Sequence, residues 1–287
     1  MLIESNRLKF AIPGKGRLRE PAIELLQKAG FKFAPRNRNL YATCTNENIT
    51  FIFVRPEDIP VLAAQGVVDL GITGSDLVIE RACDVDTVLP LDFGKCRLCV
   101  AVREETEERD LSFFNGKRIA TSFPEITKKF FADKGIQVTT IEMNGSVEIM
   151  VALGLADAIV DIVETGDSLR DNNLKVFTDI GCYETVLVAS KNVSDRSQIE
   201  KIRRRIEGVI VATQYTLLEY NVHRDNLRDA EAITPGFSSP TLSPLEAEGW
   251  YAVKVMVKKN TVPEVMDRLE AIGAKAILET EVKNCRL

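Results

Sequence analysis

Ala156–Arg170, ADAIVDIVETGDSLR, decides the fold. Asp157–Val163 suits a strand, with Asp157, Ile159 and Asp161 on one face and Ala158 and Val160 on the other. A strand inside a parallel sheet is ordinarily apolar throughout, so two carboxylates on it call for a reason. Asp161 lies near the C-terminal end, the edge at which open α/β sheets bind ligands. Glu164–Ser168 then turns into a helix and offers backbone amides, two hydroxyls and a helix N-terminus, a combination that holds phosphate. Two readings stand at this point. Either the turn grips a sugar phosphate while its acids address hydroxyls or a cation, or Thr165 and Ser168 merely cap the helix.

The same strand–turn–helix order recurs outward from this segment, as βαβ units require. Leu8–Ile12 is a strand, followed by the turn Gly14-Lys15-Gly16-Arg17 and a helical pattern over Arg17–Ala29. That turn is neither a dinucleotide fingerprint nor a P-loop, yet two cations beside a flexible glycine suit a polyphosphate as well as they suit plain solvent. Ile49–Val54 is a strand ending at Arg55, and Pro56 opens a helix to about Gln65. Asp69–Ile72 is a strand ending in Thr73-Gly74-Ser75-Asp76, where a further helix starts; Asp69 looks like this segment's counterpart of the carboxylate at the opening strand. After Gly94 the pattern restarts with strands at Arg97–Val102, Arg118–Ala120 and Gln137–Glu142, and helices at Pro124–Lys134 and Ser146–Leu153. Thr185–Ser190 is a strand returning towards the first half. The expectation is two α/β lobes resembling periplasmic binding proteins around a crevice. Lobe I takes 1–94 and is completed by about 185–208, and lobe II takes 95–184.

The last third differs. Ser194–Gly208 is a basic helix, and from about Val209 the order is strand, helix (His223–Ala232), strands (Thr241–Leu245 and Tyr251–Val257), helix (Val262–Ile272) and strand (Ala276–Glu281). That is the βαββαβ order of a ferredoxin-like, ACT-like domain over 209–287.

Composition narrows the chemistry. A net charge of -5 in 287 residues supplies no global basic field, which argues against nucleic acid and anionic membrane as partners. The N-terminus lacks the order of a secretory signal, and no apolar run approaches the ~20 residues of a membrane span, so a soluble cytoplasmic protein is expected. The single histidine, His223, lies far from any nucleophile signature and makes His-based catalysis improbable. Cys96 and Cys99 have C-x-x-C spacing on a strand without a second pair; buried free thiols are expected there rather than zinc, and no side-chain metal site is expected.

Together these segments resemble ATP phosphoribosyltransferase nearly end to end. The resemblance runs through LKFAIPGKGRL, VRPEDIP, GVVDLGITGSDL, LDFGKCRL, NGKRIATSFP, NGSVEI, GLADAIVDIVETGDSL, ITPGFSSPTLSPL and AIGAKAIL. It implies that N1 of the adenine of ATP displaces pyrophosphate from C1 of 5-phosphoribosyl pyrophosphate (PRPP), with inversion and with Mg²⁺. By resemblance, Thr165, Gly166, Asp167 and Ser168 hold the 5'-phosphate through amides and hydroxyls, Glu148 and Asp161 take the ribose hydroxyls, and Glu164 belongs to the same PRPP site. Lys15 and Arg17 act electrostatically, and Arg55, Asp69, Gly71, Thr73, Gly74 and Asp76 line the ATP side with them. The tail marks the long form, in which L-histidine inhibits by feedback; its contacts here are Asn221, Phe237, Ser239, Thr241, Met256 and Ala276. The family further implies a homo-oligomer between dimer and hexamer, and AMP as an additional ligand. A solute-binding protein, a transcription-regulator effector domain and a non-catalytic regulatory subunit are the competing classes. They lack support respectively from a signal peptide, a helix-turn-helix, and any reason to keep phosphate turns.

Overall fold

A computed structural model describes residues 6–35, 39–163, 166–193 and 195–286. The chain divides into two compact units, the first holding the residues up to Glu24 and Lys32–Ile199, the second Leu25–Phe31 and Glu200–Leu287.

The first unit is built on two sheets. In chain order its first half contains β1 (Leu8–Pro13), α1 (Arg19–Lys28, which runs on into the second unit), β2 (Tyr41–Thr43), β3 (Ile49–Val54), α2 (Ile59–Ala64), β4 (Leu70–Gly74), α3 (Ser75–Glu80) and β5 (Asp86–Pro90). The other half contains β6 (Cys96–Arg103), β7 (Arg118–Thr121), α4 (Pro124–Ala132), β8 (Thr139–Glu142), α5 (Glu148–Ala152), β9 (Ala158–Val163), α6 (Asp167–Asp171) and β10 (Leu174–Tyr183). β11 (Thr185–Ala189) then rejoins the first sheet, whose order is β2-β3-β1-β4-β11-β5. The second sheet has the order β10-β6-β9-β7-β8.

Neither sheet is wholly parallel. β1 pairs in parallel with β3 and β4, and β7 with β8 and β9, but β11 and β6 enter antiparallel. β9, expected in a parallel setting, therefore has an antiparallel neighbour on one side. Each sheet is closed by helices over apolar clusters. Ala11, Ile59, Ala63, Val186 and Val188 fill one in the first lobe. In the second lobe, Leu98, Val100, Phe114, Ile119 and Phe131 fill one side, and Cys99, Ile159, Val163 and Leu169 the other.

Between the units runs α7 (Arg196–Gln214), which reaches Gln214 where a strand is expected from about Val209. The reason is visible in its buried residues. Ile199, Ile202, Ile206, Val209 and Ala212 continue one helical stripe without a break. The second unit then contains β12 (Tyr215–His223), α8 (Leu227–Ile233), β13 (Thr241–Pro244), β14 (Trp250–Lys258), α9 (Val262–Ala271) and β15 (Lys275–Glu281). Its antiparallel sheet has the order β13-β14-β12-β15, the ferredoxin-like arrangement, over a core that includes Leu218, Tyr220, Val253, Val255, Val265 and Leu269.

Three strands have no counterpart in the sequence reading: β2, β5 and β10. β2 is too short to carry a period, and β5 and β10 are edge strands in which only Leu174 is buried, without a period-two burial pattern.

Candidate functional site

The crevice lies where the C-terminal ends of the parallel strands of both sheets meet. A cavity of about 680 Å³ there is lined by Arg17, Ser75, Gly94, Lys95, Cys96, Arg97, Val163, Cys182, Tyr183, Glu184 and Val186. Of the sequence-predicted residues that are described, only Arg17 lines it directly. Lys95 and Arg97 bring two further cations, and both are absent from the predicted set although they sit in the quoted segment LDFGKCRL.

On the first lobe, Gly14 ends β1 close against β3; its amide donates to the Val54 carbonyl at 2.7 Å, and a side chain there would press on the backbone of Phe53 and Val54. Gly16 follows in the left-handed region (φ +80°), which leaves Lys15 and Arg17 exposed on the loop. Arg55 is exposed at the end of β3. Asp76, at the start of α3, is buried; burial raises its carboxyl above the ordinary range, opposed by the Leu77 amide and by the charge of Arg17. Its carboxylate folds back over Gly74, where a methyl group would overlap it.

Three predicted ATP-side residues have other duties. Thr73 is fully buried and donates its hydroxyl to the Pro56 carbonyl at 2.8 Å, and Gly71 lies inside β4 where a methyl would overlap Ile59 Cγ2. Asp69 stands at the N-terminal end of β4, roughly 20 Å along the strand from the Ser75 end. Its carboxylate accepts the Lys9 amide at 2.7 Å, while its own amide donates to the Lys9 carbonyl at 2.9 Å. It ties β1 to β4 and does not face the crevice. Asp157 makes the same brace in the other lobe, accepting the Arg118 amide at 2.9 Å and donating to the Arg118 carbonyl at 2.8 Å. The counterpart of Asp69 is therefore Asp157, and Asp161 has no counterpart.

On the second lobe, Asp161 accepts the amide of Ile162 at 2.8 Å. Its carboxyl is raised to about 6, first by burial and then by the nearby charge of Glu148, with the Ile162 amide opposing. Ser168 donates to Glu148 at 3.0 Å, so Glu148, Asp161 and Ser168 form one group. Gly166 takes φ +82°, the left-handed turn that sends the chain into α6, and exposed Asp167 pairs with Arg170. Glu164 and Thr165 lie outside the described residues.

The two lobes are joined by a contact without a sequence signal. Glu80, at the end of α3, accepts the amides of Glu125 and Ile126 at 2.9 and 3.0 Å and so caps α4. Among the described residues no group of three His, Cys, Asp or Glu could hold a metal ion, all six cysteines are free thiols, and no helix is long and apolar enough to cross a membrane.

In the second unit, Asn221, Met256 and Thr241 fall on the face of the sheet turned away from its core, as the register shows: Met256 opposes Leu217, and Thr241 opposes Lys254, which opposes Glu219. Phe237 packs on Tyr215 with centroids 4.6 Å apart, Ser239 is exposed in the same loop, and Ala276 takes φ +52° on β15.

Residues 55–208 match the family model "HisG: ATP phosphoribosyltransferase", and 212–284 match "HisG, C-terminal domain". A protein of Rhodopirellula baltica named ATP phosphoribosyltransferase is 46% identical over 280 residues, covering 98% of this chain and 94% of that one. One of Corynebacterium glutamicum with the same name is 40% identical over 281 residues, covering 98% and 100%. Among solved structures, the ATP phosphoribosyl transferase (HisG:HisZ) complex from Thermotoga maritima matches with a TM-score of 0.60 at 32% identity, over 70% of this chain and 98% of that one. The substrate binding protein of an amino acid ABC transporter matches at 14% identity with a TM-score of 0.50, over 72% and 95%, a likeness of fold alone.

Proposed function

The chain belongs to the ATP phosphoribosyltransferase family, enzymes of histidine biosynthesis, and from that premise we propose how its crevice divides the work. The single observation that supports the division is the grouping of Glu148, Asp161 and Ser168 beside the Gly166 turn, with Asp161 on a strand whose last residue, Val163, lines a cavity with three cations. PRPP lies with its ribose hydroxyls on Asp161 and Glu148 and its 5'-phosphate at Gly166–Ser168, where carboxylates accept from hydroxyls and amides and hydroxyls donate to phosphate. ATP enters from the side of Lys15, Arg17, Arg55 and Asp76, and adenine N1 attacks C1 as pyrophosphate leaves.

The bond to the leaving group breaks with positive charge growing on the ribose and negative charge on pyrophosphate. Fixed cations such as Arg17 act on that second charge, so placement and electrostatics carry the rate. Adenine N1 is unprotonated at neutral pH and needs no general base. Mg²⁺, when bound, would neutralise phosphate charge, and Glu148 or Asp161 would serve as its carboxylate partner.

The second unit serves as the regulatory domain, binding L-histidine through Asn221, Phe237, Ser239, Thr241, Met256 and Ala276, and the chain assembles as a homo-oligomer between dimer and hexamer. The deciding assay combines purified protein, ATP, PRPP and Mg²⁺, read by the ultraviolet change of N1-substituted adenine. Product formation suppressed by histidine is expected. Absence of product under all conditions overturns the catalytic assignment, and absence of histidine binding by calorimetry overturns the regulatory one.

A further inference from the structure

We infer that Arg97 is a phosphate-binding residue of the crevice and that Asp179, on the neighbouring strand, is the residue that positions it. The inference rests on the crevice reading above and deepens it.

Arg97 stands near the start of β6, lines the cavity, and opposes Val163 in register, the last residue of β9 before the turn that leads into Gly166–Ser168. It is thus beside both the phosphate turn and the cations Arg17 and Lys95. Asp179 holds it from β10, with Arg97 Nη1 donating to both carboxylate oxygens at 3.1 Å. One guanidinium nitrogen is occupied in this way. Nη2 and Nε remain as donors in a fixed plane, the geometry that grips a phosphate oxygen pair.

Stability does not explain this pair. Arg97 and Asp179 are 46% and 47% exposed, and an ion pair so wet contributes little. Yet β10 breaks its register twice around it, between Val176 and Thr178 and again between Asp179 and Gly181. Paired bulges re-aim a side chain beside a functional site. The Cys99 thiol, buried beneath, donates to Asp179 Oδ1 at 3.1 Å and fixes the carboxylate from a second direction. Cys99 also opposes Asp161 on its other side, so Asp161, Cys99 and Asp179 form one row across β9, β6 and β10. The carboxylate assigned to ribose and the one that orients Arg97 share a single buried thiol between them.

Calorimetry on the full chain tests this with two probes, inorganic pyrophosphate and ribose 5-phosphate, which separate the two phosphate sources. Arg97→Gln is expected to weaken at least one of them about tenfold or more. Asp179→Asn is expected to weaken the same probe about threefold to fivefold and to raise the KM for PRPP more than it lowers kcat, with an unchanged thermal melt. The double variant is expected to bind no worse than Arg97→Gln alone, because Asp179 acts only through Arg97. Unchanged binding of both probes by Arg97→Gln overturns the phosphate role. Unchanged or tighter binding by Asp179→Asn, or additive losses in the double variant, overturns the positioning role. If the wild-type chain turns over no PRPP, it is the catalytic assignment that fails; if it does, these binding outcomes bear on Arg97 and Asp179 alone.

Discussion

The two lobes of the first unit share one strand scheme and use its ends differently. In each, a G-x-x-D run precedes the strand: Gly66–Asp69 before β4 and Gly154–Asp157 before β9. In each, the aspartate closes a two-way bridge to the backbone of the adjacent parallel strand, at Lys9 and at Arg118. Beyond the brace they diverge. β4 ends in groups already engaged within the protein: the Thr73 hydroxyl with Pro56, and the Ser75 amide and hydroxyl with the backbone of Glu184. β9 instead carries an extra carboxylate, Asp161, and ends at a turn where Ser168 and Glu148 stand together. A repeated motif in this molecule marks how a sheet is braced; the groups proposed above to bind ligand are those the repeat does not contain.

Five substitutions would break or sharpen that contrast, taken from the largest expected effect downward. Asp161→Asn should lower kcat/KM for PRPP about 100-fold, whereas Asp69→Asn should leave it within about twofold and cost about 1–2 kcal/mol of stability. Comparable losses of activity in steady-state assays would erase the distinction between site and brace.

The pH behaviour of Asp161 follows from its carboxyl lying near about 6, above the ordinary 3.8. Ionisation readies it to accept from ribose hydroxyls, so kcat/KM should rise between pH 5 and 7, and Asp161→Asn should flatten that limb. The stability sign is the reverse. A carboxyl raised by folding contributes stability that is fully present below its ordinary value and is lost as pH rises through about 6. Asp161→Asn should therefore raise the melting temperature at pH 8, by the equivalent of about 1–3 kcal/mol, and leave it near the wild-type value at pH 4. A profile independent of pH would show that Asp161 is not desolvated.

Gly71→Ala should cost about 1–3 kcal/mol in urea unfolding, because α2 packs directly on that strand, while Ile159→Val at the matching position of β9 should cost about 0.5–1.5 kcal/mol. Equal costs would mean that the two strands are packed alike. The smallest effect is at the segment linking the lobes. Among the described residues the buried Thr185 hydroxyl has no hydrogen-bond partner, and it lies where a side chain on Gly94 would reach. Thr185→Val should stabilise by about 1 kcal/mol, and a loss instead would reveal a bond made in solution.

Much of this was legible in the chain. Periodicity located β3 to the residue and the other long buried strands of the first unit to within one or two, because alternation and apolar runs report burial directly. The β9 turn was legible because acids on an otherwise apolar strand conflict with burial and demand a use. The edge strands β5 and β10, whose burial does not alternate, left no such trace, and α7 outran its expected end because the basic run before Val209 masked a continuous apolar stripe.

Composition and local order thus determined two α/β lobes and a ferredoxin-like tail, since each depends on residues close together in the chain. Which carboxylate braces the sheet was decided only in three dimensions. Asp69 and Asp161 look alike in sequence, and the difference lies in which end of a strand each occupies and which backbone lies across from it. The same holds for Arg97, whose partner Asp179 is 82 residues away and is brought beside it only by the register of β6 and β10.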